Sequence, residues 1–306
     1  MNPVWLGSEA KARLRRCRRS LYVALWRCVR VRRTVQAFRV SRALRPAVRF
    51  PLDVLRDTPS ARYVAKRLGL VVYLRPRMDL QVAREVVSKN IYELPEEVRT
   101  AMDDRQPPLT VLDLGANIGL FTLTAIHMFG HATRVVAVEP DPANVRLLRE
   151  NLSVNGYDDQ VTVHAVAAGR QDGNVRLQAN RGDESYVADG GDRVGSIDVP
   201  MIDAFSLATG CALVKIDIEG SEWDLLRDPR MRELDAAAVA VEWHVRRSGT
   251  EHPAAEMVHL LERAGFETRE TSQAVVWGWR PAADRSDATL RLPRASLRTE
   301  IDTRGP

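Results

Sequence analysis

The sequence predicts a doubly wound α/β fold, a mostly parallel sheet with an antiparallel C-terminal hairpin, preceded by an N-terminal helical arm. Three observations carry this. Thr110–Phe121, T-V-L-D-L-G-A-N-I-G-L-F, is a short apolar strand that runs through Gly115 and Gly119 into an apolar helix ending at Phe129. Strand and helix patterns then alternate regularly as far as Ala264. Two short apolar runs, Phe266–Glu270 and Ala274–Arg280, follow closely enough to pair as a hairpin.

In chain order, residues 11–45 come first and read as a helix. Leu14, Cys17, Leu21, Leu25, Cys28, Val31, Val35 and Phe38 recur at spacings of three and four, with Tyr22 and Trp26 flanking the stripe. Residues 1–50 hold thirteen arginines and Lys11 against Glu9, a charge of +13; the whole chain carries +5, so the remaining 256 residues carry −8. A basic amphipathic helix with flanking aromatics is the pattern of an element lying on a membrane surface. An arm packed on the body or on a second subunit accounts for the same stripe, and both readings stay open. An organellar transit peptide shares the Arg-rich, acid-poor composition. No nucleic-acid partner is expected, because the acidic body has no basic face to extend the footprint.

Pro46, Pro51 and Pro59 break the helical period and predict a linker. Tyr63–Tyr73 reads as a hairpin turning at Gly69, and Leu80–Asn90 and Pro95–Asp103 as helices. The chain is thus expected to divide into an arm (1–50), a small cap (51–106), the α/β domain (107–281) and a disordered tail (282–306) rich in Arg, Asp, Pro and Ser. Within the domain, Arg134–Glu139, Val161–Val166, Leu213–Asp217 and Ala238–Trp243 are expected strands. Asp141–Asn155, Ser221–Leu226 and Ala254–Ala264 are expected helices, and Asn174–Gln178 and Ser196–Met201 are expected to pair around a Gly/Asp-rich loop. Cys17, Cys28 and Cys211 form no C-x-x-C pair, which suits a reducing, cytoplasmic setting, peripheral on a membrane if the arm lies there. Ser20–Trp26 is too short for a signal core or a span.

The chemistry starts at the glycine turn. A dinucleotide site wants a middle glycine to admit pyrophosphate, and here Asn117 stands in its place while Asp113 adds negative charge. Asp113 instead suits a ligand with an ammonium or sulfonium charge, Gly115 lets the backbone approach it, and Asn117 offers an amide. These features point to S-adenosylmethionine. Glu139, ending the second strand about 20 residues after Gly119, stands where an acid takes both ribose hydroxyls.

D-L-G-A-N-I-G-L-F-T, V-E-P-D-P-A-N-V-R-L-L-R-E-N-L-S-V-N-G and K-I-D-I-E-G-S-E-W-D-L-L resemble, in this order, the FkbM family of S-adenosylmethionine-dependent methyltransferases, over about Leu109–Val245. The resemblance implies a class I methyltransferase (Rossmann-like) sheet with Asp113, Gly115, Asn117 and Gly119 as the first cofactor loop. It implies Glu139 as ribose ligand, Asn144 behind it, and Ala167 near the adenine. Met201-Ile202-Asp203 departs from the family's T-L-D. Family members act on sugars, polyketides and other metabolites, so O-methylation of a small-molecule, glycan or lipid-linked hydroxyl is the implied reaction.

Asp217 ends a strand at the crevice where such sheets bind ligands, and Glu219 follows at a helix start. They are candidates to orient an acceptor hydroxyl and take its proton. Glu242 and His244 are expected to face the same crevice, with His244 a candidate general base. Glu219 and Glu222 read equally as helix caps paired with Lys215 or an arginine. No metal is demanded by the spacing. A Rossmann-like NAD(P)-dependent oxidoreductase and a catalytically silent binding protein remain the alternatives.

Overall fold

A computed structural model of the 306-residue chain describes residues 29–178, 186–187, 196–245, 247–271 and 275–281. Residues 1–28, most of the loop 179–195 and the expected tail 282–306 lie outside these described residues.

Seven strands form the central sheet: β4 (Thr110–Leu114), β5 (Arg134–Val138), β6 (Val161–His164), β11 (Leu213–Ile216), β12 (Ala238–Glu242), β13 (Glu267–Glu270) and β14 (Val275–Trp279). Their order is β13-β14-β12-β11-β4-β5-β6. The β12–β11–β4–β5–β6 pairs are parallel, and β14 runs antiparallel to both β12 and β13. The sheet interior is nearly continuous in apolar residues, Val111, Leu112, Leu213, Val239 and Val241 among them, as a parallel sheet covered on both faces requires. From β4 the chain winds outward through β5 and β6, then returns to place β11 on the other side of β4. This reversal opens a crevice beyond the carboxyl ends of β4 and β11, where doubly wound sheets bind ligands.

The covering helices start and stop where their residues dictate. Helix α5 (Leu120–Phe129) follows Gly119, whose φ of 83° suits glycine. Helix α6 (Pro142–Ser153) is capped by the Asp141 carboxylate, which accepts from the Ala143 N–H, with Pro142 at the first position. Helix α9 (Pro253–Arg263) precedes β13, and the short helix α8 (Glu222–Leu226) follows β11.

The segment ahead of β4 shares its core with the sheet. It comprises α1 (Val29–Ser41), β1 (Leu44–Arg45), α2 (Arg49–Arg56), the hairpin β2 (Ala61–Ala65) and β3 (Leu70–Leu74), and helices α3 (Leu80–Val82, continuing as a π-helix over Ala83–Lys89) and α4 (Glu96–Asp103). Tyr63, Val72, Leu80 and Val86 belong to the same apolar cluster as Val111, Leu123 and Trp277. Asn151 of α6 and Asn155 just beyond its end hold the edge of β3. Their side-chain oxygens accept the Tyr73 and Val71 N–H groups at 2.6 and 3.0 Å, and their amides donate back to the same strand.

Two expectations need correction here. The stretch around Pro51 is a helix rather than a linker: Pro51 falls in the first turn of α2, where its missing N–H has no intrahelical acceptor to lose. In α1 the buried face is Ala37 and Val40, while Phe38 of the expected stripe faces outward. A second, smaller sheet was not expected in full: β7 (Ala167–Gly169), β10 (Ser196–Asp203), β8 (Gly173–Gln178) and β9 (Tyr186–Val187), in that order. Its β8–β10 pair is antiparallel, as the sequence suggests.

Candidate active site

A cavity of about 490 Å³ lies at the switch point. Its floor is the turn after β4 and the ends of β5, β11 and β12; its wall is the α3 segment with Ile91 and Tyr92; Ala167, Ala168 and Leu177 close one side. Gly115, Asn117, Glu139, Asn144 and Ala167 all line it, and so do Asp217, Glu219, Glu242 and His244.

At the first end, Glu139 is buried and held by donors from its own neighbourhood. Its Oε2 accepts the Asn117 N–H at 2.8 Å; its Oε1 accepts the Asp141 N–H at 2.9 Å and the Asn144 amide at 3.2 Å. Burial pushes its pKa up to about 7 against the pull of these hydrogen bonds. With three of about four acceptor positions taken, one on Oε2 is left. The two-oxygen ribose contact expected from sequence is thus reduced to one on Glu139. A second acceptor belongs to a residue of the same lining: Asn117 lines the cavity, and its buried Oδ1 meets no hydrogen-bond partner among the described residues. Two acceptors against the apolar surface of Val138, Pro140, Ala168 and Leu177 fit a nucleoside, a hydroxylated ring with a flat apolar base.

Asp113 and Gly119 do not line the cavity. The Asp113 carboxylate is fully buried, accepts from the Thr122 hydroxyl at 2.6 Å and pairs with Lys215 at 3.2 Å. The lysine, itself buried, donates to the Gly115 carbonyl at 2.7 Å and lies 3.2 Å from Asp217. Burial disfavours its charge, but Asp113 and Asp217 outweigh that and hold it protonated. Asp113 therefore neutralises a buried lysine that fastens the turn, and its carboxylate faces Lys215 and Thr122 rather than the cavity. Gly115 lines the cavity and has a further use: a Cβ there would sit 1.7 Å from the Asp217 carbonyl oxygen, so its bareness also admits the backbone just after β11. Gly119 makes room for Leu148 of α6, which a Cβ would meet at 3.1 Å.

At the second end four carboxylates meet. Glu242 is pushed up to about 8, by burial first and then by the charges of Asp217 and Glu85. The Tyr92 hydroxyl lies 2.9 Å from Glu242 and 3.4 Å from Asp217, and its ring stands edge-on to Phe121 at 4.9 Å. Glu219 holds a left-handed φ of 53°, a conformation a non-glycine residue adopts only under the constraint of its surroundings. Glu222 is fully buried and belongs to the frame: it accepts the Gly220 and His244 N–H groups at 2.7 and 2.9 Å and the His244 ring at 3.2 Å. Burial opposes charge on His244, but the hydrogen bond to Glu222 and the charges of Glu219 and Asp217 prevail and raise it to about 10. The raised pKa favours the imidazolium form of His244 and weighs against the general-base role the sequence suggested. Ligand atoms of Asp217, Glu242 and His244 lie within 4.8 Å of one another, close enough for the three to share one cation.

The FkbM methyltransferase domain profile matches residues 113–268, half of the chain. The chain belongs to the FkbM methyltransferase family. Among curated relatives, a ribosomal protein L11 methyltransferase of Pelobacter propionicus is 37% identical over 92 residues, 30% of this chain and 29% of its own. Methyltransferase 1 of Beauveria bassiana is 26% identical over 51% of this chain and 70% of its own. The chain spans about a third of the length of the L11 methyltransferases it matches. Among solved structures, the FkbM methyltransferase of Methylobacillus flagellatus aligns with 17% identity and a TM-score of 0.42, over 83% of this chain and 60% of that one.

In this FkbM-family chain several site residues escaped the sequence reading. Gln81, Glu85 and Tyr92 come from the segment ahead of the matched region and line the cavity. Arg75 is a further one: it pairs with the buried Asp79 at 2.6 Å and donates to the Asn144 side chain at 2.7 Å, tying the hairpin to the Glu139 end. Their local pairs, Arg75–Asp79 and Gln81–Glu85, say nothing of the cavity, and the contacts that tie Arg75 and Tyr92 to it reach Asn144, Asp217 and Glu242, dozens of positions away. Asp203, in the stretch departing from the family pattern, caps a helix and pairs with Arg230 at 2.6 Å, away from the cavity lining.

Proposed function

We propose that this methyltransferase uses S-adenosylmethionine to methylate a hydroxyl of a neutral polyhydroxyl acceptor, a sugar or glycan-bearing molecule. The reading rests on one observation: a single cavity has hydrogen-bond acceptors and apolar walls at the Glu139 end and a carboxylate of near-neutral pKa, Glu242, at the other. Glu139 and Asn117 would hold the nucleoside, with Ala167 and Leu177 against the base. The cofactor, when bound, supplies an already activated methyl group, so the protein's task is alignment and removal of one proton.

Glu242 takes that proton. A base titrating near the working pH is effective, because it is available unprotonated and still accepts readily. Asp217, 3.2 Å from Lys215, orients the hydroxyl. The imidazolium of His244 offsets the surrounding carboxylates. Carboxylates beside the Trp243 ring suit a ring of hydroxyls and repel phosphate-bearing acceptors. The same repulsion, with Asn117 in the turn, stands against a pyrophosphate-bearing nicotinamide cofactor.

Calorimetric titration with S-adenosylmethionine and with NAD(H), followed by incubation of the loaded protein with labelled methyl donor and a panel of free sugars, tests this. Saturable binding of the first ligand alone, with label on a sugar hydroxyl, is the expected result. Binding of NAD(H) alone overturns the cofactor assignment, and label on an amine overturns the acceptor assignment.

A further inference from the structure

We infer that the surface formed by α1 and α2 is a docking face for an anionic membrane. Val48, Leu52 and Leu55 follow one another at spacings of four and three along α2, so they share one stripe of the helix. They are 77, 43 and 60% exposed, while Phe50, Pro51 and Val54 on the opposite side are buried in the core. Phe38 on the adjoining α1 is 59% exposed. Large apolar residues scattered singly need no explanation, but a stripe of three on one short helix does.

The charge around this stripe selects the occupant. Arg39, Arg42, Arg45, Arg49 and Arg56 lie on or beside the two helices and are exposed. The acids nearby are already engaged: Asp53 is buried with Arg49 and the Tyr63 hydroxyl, and Asp57 pairs with Arg77 at 2.9 Å. No ion pair joins Arg39, Arg42, Arg45 or Arg56 to an acid among the described residues. Exposed leucines rimmed by unneutralised arginines match an anionic lipid surface, which takes the apolar side chains at the headgroup boundary and the guanidinium groups at the phosphates. A second copy of the chain would set these arginines against one another, since its matching face carries the same charge. No described helix is long and apolar enough to cross a membrane, so the contact is with the surface. Helix α1 packs against the α3 segment whose residues line the cavity, so the docking face stands one helix layer from the site.

Sedimentation of the full chain with vesicles of phosphatidylcholine alone, or with about one-third phosphatidylglycerol, tests this independently of any methyl transfer. The expected result is binding to the anionic vesicles only, weakened by salt, and reduced about tenfold both in Leu52→Ser/Leu55→Ser and in Arg45→Gln/Arg56→Gln with unchanged melting temperature. Equal binding to both vesicles, or undiminished binding of the leucine variant, overturns the inference. A concentration-dependent dimer that the leucine variant dissolves assigns the face to a second copy instead. A lowered melting temperature with unaltered vesicle binding assigns it to the chain's own packing.

Discussion

The two ends of the cavity hold their carboxylates by different means. At the Glu139 end a single buried acid is fixed by two main-chain N–H groups and one amide, all within 22 positions of it. At the Glu242 end the groups come from residues 85, 92, 217, 219, 242 and 244, and charge is balanced against charge across the sheet. The first arrangement suits recognition, because dipoles fixed by the backbone need no rearrangement on binding. The second suits proton transfer, because its pKa values depend on neighbours and sit near neutrality.

The sharpest test of that contrast is to damage each end alone. Glu242→Gln removes the base and keeps its shape, so kcat should fall by about 10²–10⁴-fold while the calorimetric Kd for S-adenosylmethionine holds. A parallel loss in Kd would break the division. Activity of the native protein should rise about tenfold per pH unit up to about 8 as Glu242 loses its proton, and hold until His244 deprotonates near 10. A flat profile from pH 6 to 9 would remove Glu242 as the base. Glu139→Gln should act in the opposite sense, weakening cofactor binding about 10- to 100-fold with kcat at saturation little changed, since one hydrogen bond to a charged group is worth about 1.5–3 kcal/mol. The smallest effect is expected from Tyr92→Phe. The lost hydroxyl no longer steadies the Glu242 carboxylate, and the rising limb should move up by less than about one pH unit.

Legibility in the sequence follows the same division. The strands and helices of the central sheet and its glycine turn are readable because local period and local glycine set each of them, whereas α2 and the full second sheet are not. Glu139, Asn117 and Asn144 were readable because the unit that carries them is contiguous. The roles of Asp113 and His244 were not. Asp113 looked like a ligand-facing acid until Lys215, about a hundred positions on, was seen to occupy it. His244 looked like a base until Glu222 was seen under its ring. Tyr92 and Arg75 carry no signal of their place at the site, since only the packing of the hairpin and α3 on the sheet brings Arg75 to Asn144 and Tyr92 to Glu242. Identity and spacing reveal where a side chain stands; its charge state depends on neighbours that only the topology supplies.

The bare Cα of Gly115 against the Asp217 carbonyl has a consequence for how such a catalyst diversifies. The separation of the cavity's two ends is gauged there by two main chains in direct contact, and no replaceable side chain acts as the spacer, so on the proposed function exchange of Gln81 or Trp243 would reshape the acceptor side without moving the ends apart.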